Sequence, residues 1–147
     1  MEPVSSHIEA LVWAGASTSG PILELGGGEY STSVLAGFAG AGRECWTVET
    51  DPAWAQRLGE LYGHLVHITD TAPSRDWAVV LVDQAPGSAR ADAVRRYRDR
   101  AWVVVHDTEL EVKQFYPGLR EVIAESKQMK IVFSAGPWMP ETTLLVP

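Results

Sequence analysis

One segment constrains this chain more than any other: Pro21-Ile22-Leu23-Glu24-Leu25-Gly26-Gly27-Gly28-Glu29-Tyr30-Ser31-Thr32. A short apolar strand leads into three consecutive glycines, and a helix start follows. Strand, glycine turn and helix in this order are how an α/β protein turns backbone N–H groups toward a small ligand. Glu24 stands two places before the first turn glycine. A turn built for an anionic pyrophosphate has an apolar residue there. A carboxylate facing the turn suits a ligand with a cationic end. An acid inside an apolar strand is costly to bury without a partner, so Glu24 is expected to have one.

The rest of the chain repeats the alternation. Val4, Ile8, Leu11 and Val12 share a helical face, which predicts a leading helix over 4–15. Strands are predicted at 22–25, 44–49, 64–68, 77–82 and 101–105. Helices are predicted at 31–39, from Pro52 onward with Asp51 as N-cap, at 87–98 and at 118–126. Two last strands, 130–134 and 142–146, are joined by Gly136-Pro137-Trp138-Met139-Pro140, which is too short for a crossover helix, so this pair should be antiparallel. The expected fold is an α/β, Rossmann-like three-layer sandwich: a seven-stranded, mostly parallel sheet with an antiparallel C-terminal hairpin. Residues 1–147 are expected to form one domain, a leading helix within 1–17 and a core over 21–147.

Composition narrows the function classes. The 147 residues carry 12 basic and 19 acidic side chains, a net charge of −7. That disfavours charge-driven binding to nucleic acid or anionic lipid. No apolar run approaches ~18 residues, so no membrane span is expected. Met1-Glu2-Pro3-Val4 lacks the basic and apolar regions of a secretion signal, so a cytoplasmic protein is expected. The lone Cys45 lies in an apolar run and reads as a small buried hydrophobe.

With these motifs in place the chain resembles the class I S-adenosylmethionine-dependent methyltransferases. The sharpest match is Glu24-Leu25-Gly26-Gly27-Gly28, similar to that family's E-x-G-x-G turn. Glu49, followed by Thr50-Asp51-Pro52, matches its acidic residue after the second strand; Thr69-Asp70 and Leu81-Val82-Asp83 match the ends of strands three and four. Ser31 replaces the third glycine of a dinucleotide fingerprint, as methyltransferases tolerate. Val82-Asp83-Gln84-Ala85-Pro86-Gly87 and Val104-Val105-His106-Asp107 resemble segments of a less characterised branch. The resemblance implies S-adenosylmethionine as cofactor and S-adenosylhomocysteine as product. It implies Glu24 on the methionine ammonium, with Gly26, Gly27, Gly28 and Ser31 forming the turn. Glu49 and Thr50 would lie at the ribose, Asp70 at the adenine amino group, and Asp83 beside the cofactor.

The acceptor end falls to Asp83, His106 and Asp107, at the ends of neighbouring central strands. His106 has the intrinsic pKa of a base that could take a proton from an acceptor hydroxyl or amine. Asp83 and Asp107 could instead hold a divalent cation. Only two carboxylates are evident, however, and Thr108 stands where metal-dependent relatives have an amide or acid, so no metal is assigned. The expected activity is methyl transfer to an oxygen or nitrogen of a small-molecule acceptor. A nucleic-acid amine is disfavoured because Asp83-Gln84-Ala85-Pro86 lacks the Pro-Pro-aromatic sequence of such enzymes. Three rivals are a cofactor-binding subunit completed by a protein partner or a second copy, an aminopropyltransferase, and a nicotinamide-binding domain. His64 and His67 read as surface or satisfied residues, Arg95, Arg96, Arg98 and Arg100 as a solvated face, and Trp138 as a residue that could line an acceptor pocket. His7 lies on the leading helix without an assigned role.

Overall fold

The computed structural model describes residues 6–109, 115–134, 136 and 140–147. Val4 and the Trp138 loop residue lie outside them. The elements are α1 (Ser6–Ala16), β1 (Ile22–Leu25), α2 (Glu29–Gly40), β2 (Cys45–Val48), α3 (Pro52–Tyr62), β3 (His67–Thr69), β4 (Val79–Val82), a 3-10 turn (Gly87–Ala89), α4 (Arg90–Tyr97), β5 (Trp102–His106), α5 (Leu119–Glu125), β6 (Met129–Ser134) and β7 (Glu141–Val146).

The seven strands form one sheet in the order β3-β2-β1-β4-β5-β7-β6. β1 to β5 run parallel, and β7 runs antiparallel to both β5 and β6. The expected hairpin is there, and β7 rather than β6 lies inside the sheet. Burial explains the choice: Thr142 to Val146 is buried on both faces, whereas β6 alternates between half-buried and exposed. A strand apolar on both sides needs a neighbour on each edge and a helix layer on each face.

Side chains alternate across the pleat. Leu23, Leu25, Val80, Val82, Val103, Val105 and Leu145 join the core under α4 and α5. Ile22, Val79, Leu81, Val104 and Leu144 join the opposite core with α1 and α2. Cys45 is buried as expected, and burial pushes its thiol up to about 11.

Three boundaries differ from expectation. β3 starts at His67, because Tyr62 O accepts from the N–H groups of both Leu65 and Val66 at 2.9 Å, so His64 and Leu65 belong to the turn leaving α3. α2 starts at Glu29, with the Gly28 carbonyl accepting from Thr32 N at 2.8 Å. The helix predicted over 87–98 splits into a 3-10 turn and α4. Asp51 caps α3 as read, accepting from Trp54 N at 2.9 Å.

The parallel register places Leu25 beside Val48 and Val82, and Val82 beside Val105. Gly26, Glu49, Asp83 and His106 are the next residues of their strands and form a row along one edge of the sheet. Leu81 is fully buried between the layers of this core. Leu81→Ala is expected to destabilise the fold by about 2–5 kcal/mol, measurable by urea unfolding, with the far-ultraviolet spectrum unchanged.

Candidate active site

Glu24 lies on the α1–α2 side of β1 and is fully buried. Register puts it against Thr47 of β2. Its Oε2 accepts from Thr47 Oγ1 at 2.6 Å and from Thr32 Oγ1 at 2.7 Å. Its Oε1 is buried and has no hydrogen-bond partner among the described residues. Burial raises the Glu24 carboxyl from 4.5 to about 7, against the lowering effect of the Ser31, Thr47 and Thr32 hydroxyls. The carboxylate thus lies beneath the glycine turn rather than on its surface.

The turn is shaped by close approach. Gly26 has φ +86°, and a Cβ there would stand 2.6 Å from the Asp83 carbonyl oxygen and the Gln84 Cα. A Cβ on Gly27 would fall 2.3 Å from Leu58 Cδ1. Gly27 is fixed at both ends, its N–H donating to Glu49 Oε2 at 3.2 Å and its carbonyl accepting from Trp54 Nε1 at 2.7 Å. Gly28 caps α2 with no side-chain hydrogen bond, so no side chain competes for the first N–H groups of that helix. Ser31 is buried in the first turn of α2, its hydroxyl 3.5 Å from the Gly28 carbonyl.

Beside the turn is a cavity of about 270 Å³ lined by Leu25, Gly26, Glu49, Thr50, Gln84 and Pro86, among others. Glu49 Oε1 accepts from Asp51 N at 2.8 Å. Each Glu49 oxygen therefore takes one main-chain N–H and can accept again. Gln84 Oε1 is a second buried oxygen without a partner. Asp70 does not line this cavity. It is exposed past the end of β3 and accepts from Thr71 Oγ1 at 3.1 Å.

The other end of the row is a charged cluster around Arg90, the first residue of α4. Arg90 Nη2 is 2.9 Å from Asp83 Oδ1, and Nη1 is 3.1 Å from Asp107 Oδ2. The guanidinium also donates to the carbonyls of Gln84, His106 and Asp83 and lies 4.3 Å from the Tyr116 ring centroid. Tyr116 donates its hydroxyl to Asp107 at 2.9 Å. Asp107 adopts left-handed backbone, φ 56°, which an aspartate tolerates better than most side chains. His106 Nδ1 is 3.1 Å from Asp83 Oδ1 and 3.5 Å from Asp107 Oδ2. Burial alone would raise the Asp83 carboxyl. The His106 hydrogen bond, with the charges of His106, Arg90 and His7, holds it below the usual range. α1 brings His7 onto this cluster, its ring centroid 4.2 Å from that of His106. Burial, with His106 beside it, lowers His7 to about 4, although Asp83 and Asp107 pull the other way.

No protein-family model and no curated protein matches the sequence. Solved structures do. An O-methyltransferase from Bacillus cereus in complex with S-adenosylhomocysteine superposes with a TM-score of 0.68 at 15% identity, over 100% of this chain and 82% of that one. The O-methyltransferase TomG from Streptomyces achromogenes, involved in tomaymycin synthesis and solved with S-adenosylmethionine, gives 0.66 at 22% identity, over 95% and 78%. The 23S rRNA methyltransferase ErmE gives 0.56 at 19% identity, over 95% and 68%. The chain has the class I methyltransferase fold.

Within that methyltransferase fold the sequence reading located the turn, Glu49 and Thr50 beside one cavity, and Asp83, His106 and Asp107 in one cluster. A cation between Asp83 and Asp107 was left unassigned, and the Arg90 guanidinium donates to both carboxylates. Arg90 itself was missed, although two acids at neighbouring buried strand ends need a counter-charge. Thr47, Thr32, Trp54 and Gln84 were also missed; only β1–β2 register could have paired Thr47 with Glu24. His64 and His67 are exposed, His67 stacking on Trp46 at 4.3 Å.

Because the folded Glu24 pKa of about 7 exceeds the ordinary 4.5, the folded protein keeps a proton between those values that the unfolded chain has released. Stability is therefore greatest below the lower value and falls as pH rises through the upper one. Glu24→Gln should leave the ligand-free protein little changed at about pH 5 and stabilise it, by on the order of 3 kcal/mol, at about pH 8.5. Urea unfolding at the two pH values checks this.

Proposed function

We propose that this chain binds S-adenosylmethionine at the β1–α2 turn and transfers its methyl group to an oxygen or nitrogen of a small-molecule acceptor, leaving S-adenosylhomocysteine. The observation that carries the reading is the Glu24 oxygen buried under the glycine turn, which makes no hydrogen bond among the described residues although the Ser31 hydroxyl is near enough to lower the carboxyl. A buried carboxylate oxygen in that state is an acceptor looking for a cation. The ammonium of the cofactor, reached directly or through water, meets that need.

The cofactor supplies a methyl group already activated on a sulfonium centre, so the chain contributes positioning and electrostatics. Gly26, Gly27 and Gly28 keep the main chain close to the ligand, and Ser31 keeps the first turn of α2 small. Glu49 accepts from the ribose hydroxyls beside Thr50. For the adenine amino group the chain offers Gln84 and Asp70. Gln84 is the better placed, because it lines the cavity and its oxygen has no partner among the described residues. Asp83 extends from the cofactor side to the acceptor side. With His106 and Asp107 it orients the acceptor's nucleophilic atom and lowers the cost of removing its proton. A subunit that only bound the cofactor would have no use for this second cluster. The net charge of −7 favours a small acceptor over a polyanion.

Calorimetry with S-adenosylmethionine, S-adenosylhomocysteine and NAD tests the reading. The first two are expected to bind with one site per chain and NAD not at all. Glu49→Ala should weaken cofactor binding by about tenfold or more, equivalent to about 1.4 kcal/mol, with the melting temperature unchanged. Binding of NAD with neither sulfur compound bound would overturn the assignment, and unaltered affinity in the variant would remove Glu49 from the site.

A further inference from the structure

His7 enters the cluster from the far end of the chain. It sits on α1 among Ser6, Ala10, Leu11 and Ala14, all buried, so the packing of this helix fixes where the imidazole lies. Ser6 adds a tether, its hydroxyl 2.8 Å from Thr142 Oγ1 and 2.8 Å from the Pro140 carbonyl. The result is two imidazoles and a carboxylate converging from α1, β4 and β5. One ligand atom each of His7, Asp83 and His106 lies within 4.8 Å of the others.

The geometry points to a binding site for one divalent first-row transition ion, held by His7, Asp83 and His106. Two nitrogen donors with one carboxylate form a set that selects ions such as Zn²⁺, Co²⁺ or Ni²⁺ over Mg²⁺ or Ca²⁺, which want oxygen. A bound ion of this kind has metal–ligand bonds of about 2.1 Å and holds adjacent donors ~3 Å apart, so it would draw these three donors inward from their present spacing. Charge agrees. The cluster holds two carboxylates, Asp83 and Asp107, and one guanidinium, Arg90, in mostly buried surroundings. One negative charge is left for a cation. Arg90 holds both carboxylates, Asp83 Oδ1 at 2.9 Å and Asp107 Oδ2 at 3.1 Å, and Asp83 is the one whose oxygen lies within reach of both imidazoles.

This assignment differs from a cation bridging Asp83 and Asp107, where the Arg90 guanidinium already bridges the two carboxylates. Its use in catalysis rests on the acceptor-end reading above: an ion at this place would polarise an acceptor oxygen and favour loss of its proton. Its existence does not rest on that reading, and it is tested with the metal alone.

The experiment is titration of the full chain with Co²⁺, read by visible absorption, in the absence of any cofactor. The expected result is one Co²⁺ per chain, with Zn²⁺ displacing it and Mg²⁺ in excess failing to. His7→Ala and His106→Ala should each weaken binding by about tenfold or more, while the double variant His64→Ala/His67→Ala, altering only exposed imidazoles, should bind as the parent does. No Co²⁺ binding would overturn the inference and leave His106 as an unmetallated base. Binding that survives His7→Ala, is lost in the surface double variant, or yields to Mg²⁺ would overturn it too. Should His7→Ala fail to fold, X-ray absorption of the Zn²⁺-loaded parent decides: two imidazole nitrogens support the site, and fewer than two refute it. Calorimetry with S-adenosylmethionine on the same preparation separates failure of the metal site from failure of the cofactor reading.

Discussion

Arg90 donates to the carboxylates of Asp83 and Asp107 and to the main-chain carbonyls of Gln84 and His106, and the working ends of β4 and β5 depend on it for both charge and place. Two parallel strands that finish in adjacent acids would repel each other in a half-buried setting. A planar guanidinium satisfies both at once, because its donors are spread in a fixed fork. Its position at the start of α4 ties the helix layer to the strand ends, and the ring of Tyr116 covers it from one side. One guanidinium thus serves two carboxylates at adjacent strand ends.

A second buried polar group works on the opposite side of the sheet. Glu24 is anchored by Thr32 of α2 and Thr47 of β2, so one carboxylate cross-links a strand to the helix that follows it and to the neighbouring strand. The hydroxyls satisfy one oxygen only. The other oxygen makes no hydrogen bond among the described residues and lies under the turn. The charge of Asp83 reaches Glu24 through the sheet and adds to the rise of its carboxyl.

Much of this was legible from residues in order. The apolar runs at 22–25, 79–82 and 102–106 are continuous because parallel strands are covered on both faces, and the glycines and Asp51-Pro52 mark turns whose chemistry is local. Legibility stopped where a partner is distant in sequence. His64 and Leu65 look like strand residues, yet the Tyr62 carbonyl captures the chain there. In sequence His7 is one polar residue on the leading helix, and Arg90 is not singled out at all. Each joins the cluster at the strand ends only because α1 and α4 pack against opposite faces of the sheet.

The sequence by itself determined the alternation of strands and helices, the position of the glycine turn, and the placing of acids and a histidine at strand ends. These follow from period, turn stereochemistry and the rule that open parallel sheets present their functional residues beyond the carboxyl ends of the strands. Tertiary structure alone decided the insertion of β7 beside β5, the burial of Glu24 beneath the turn, the seating of Arg90 between two carboxylates, and the meeting of His7 with His106. Those outcomes depend on which surfaces are removed from water together, and that is a property of the packed chain rather than of any segment of it.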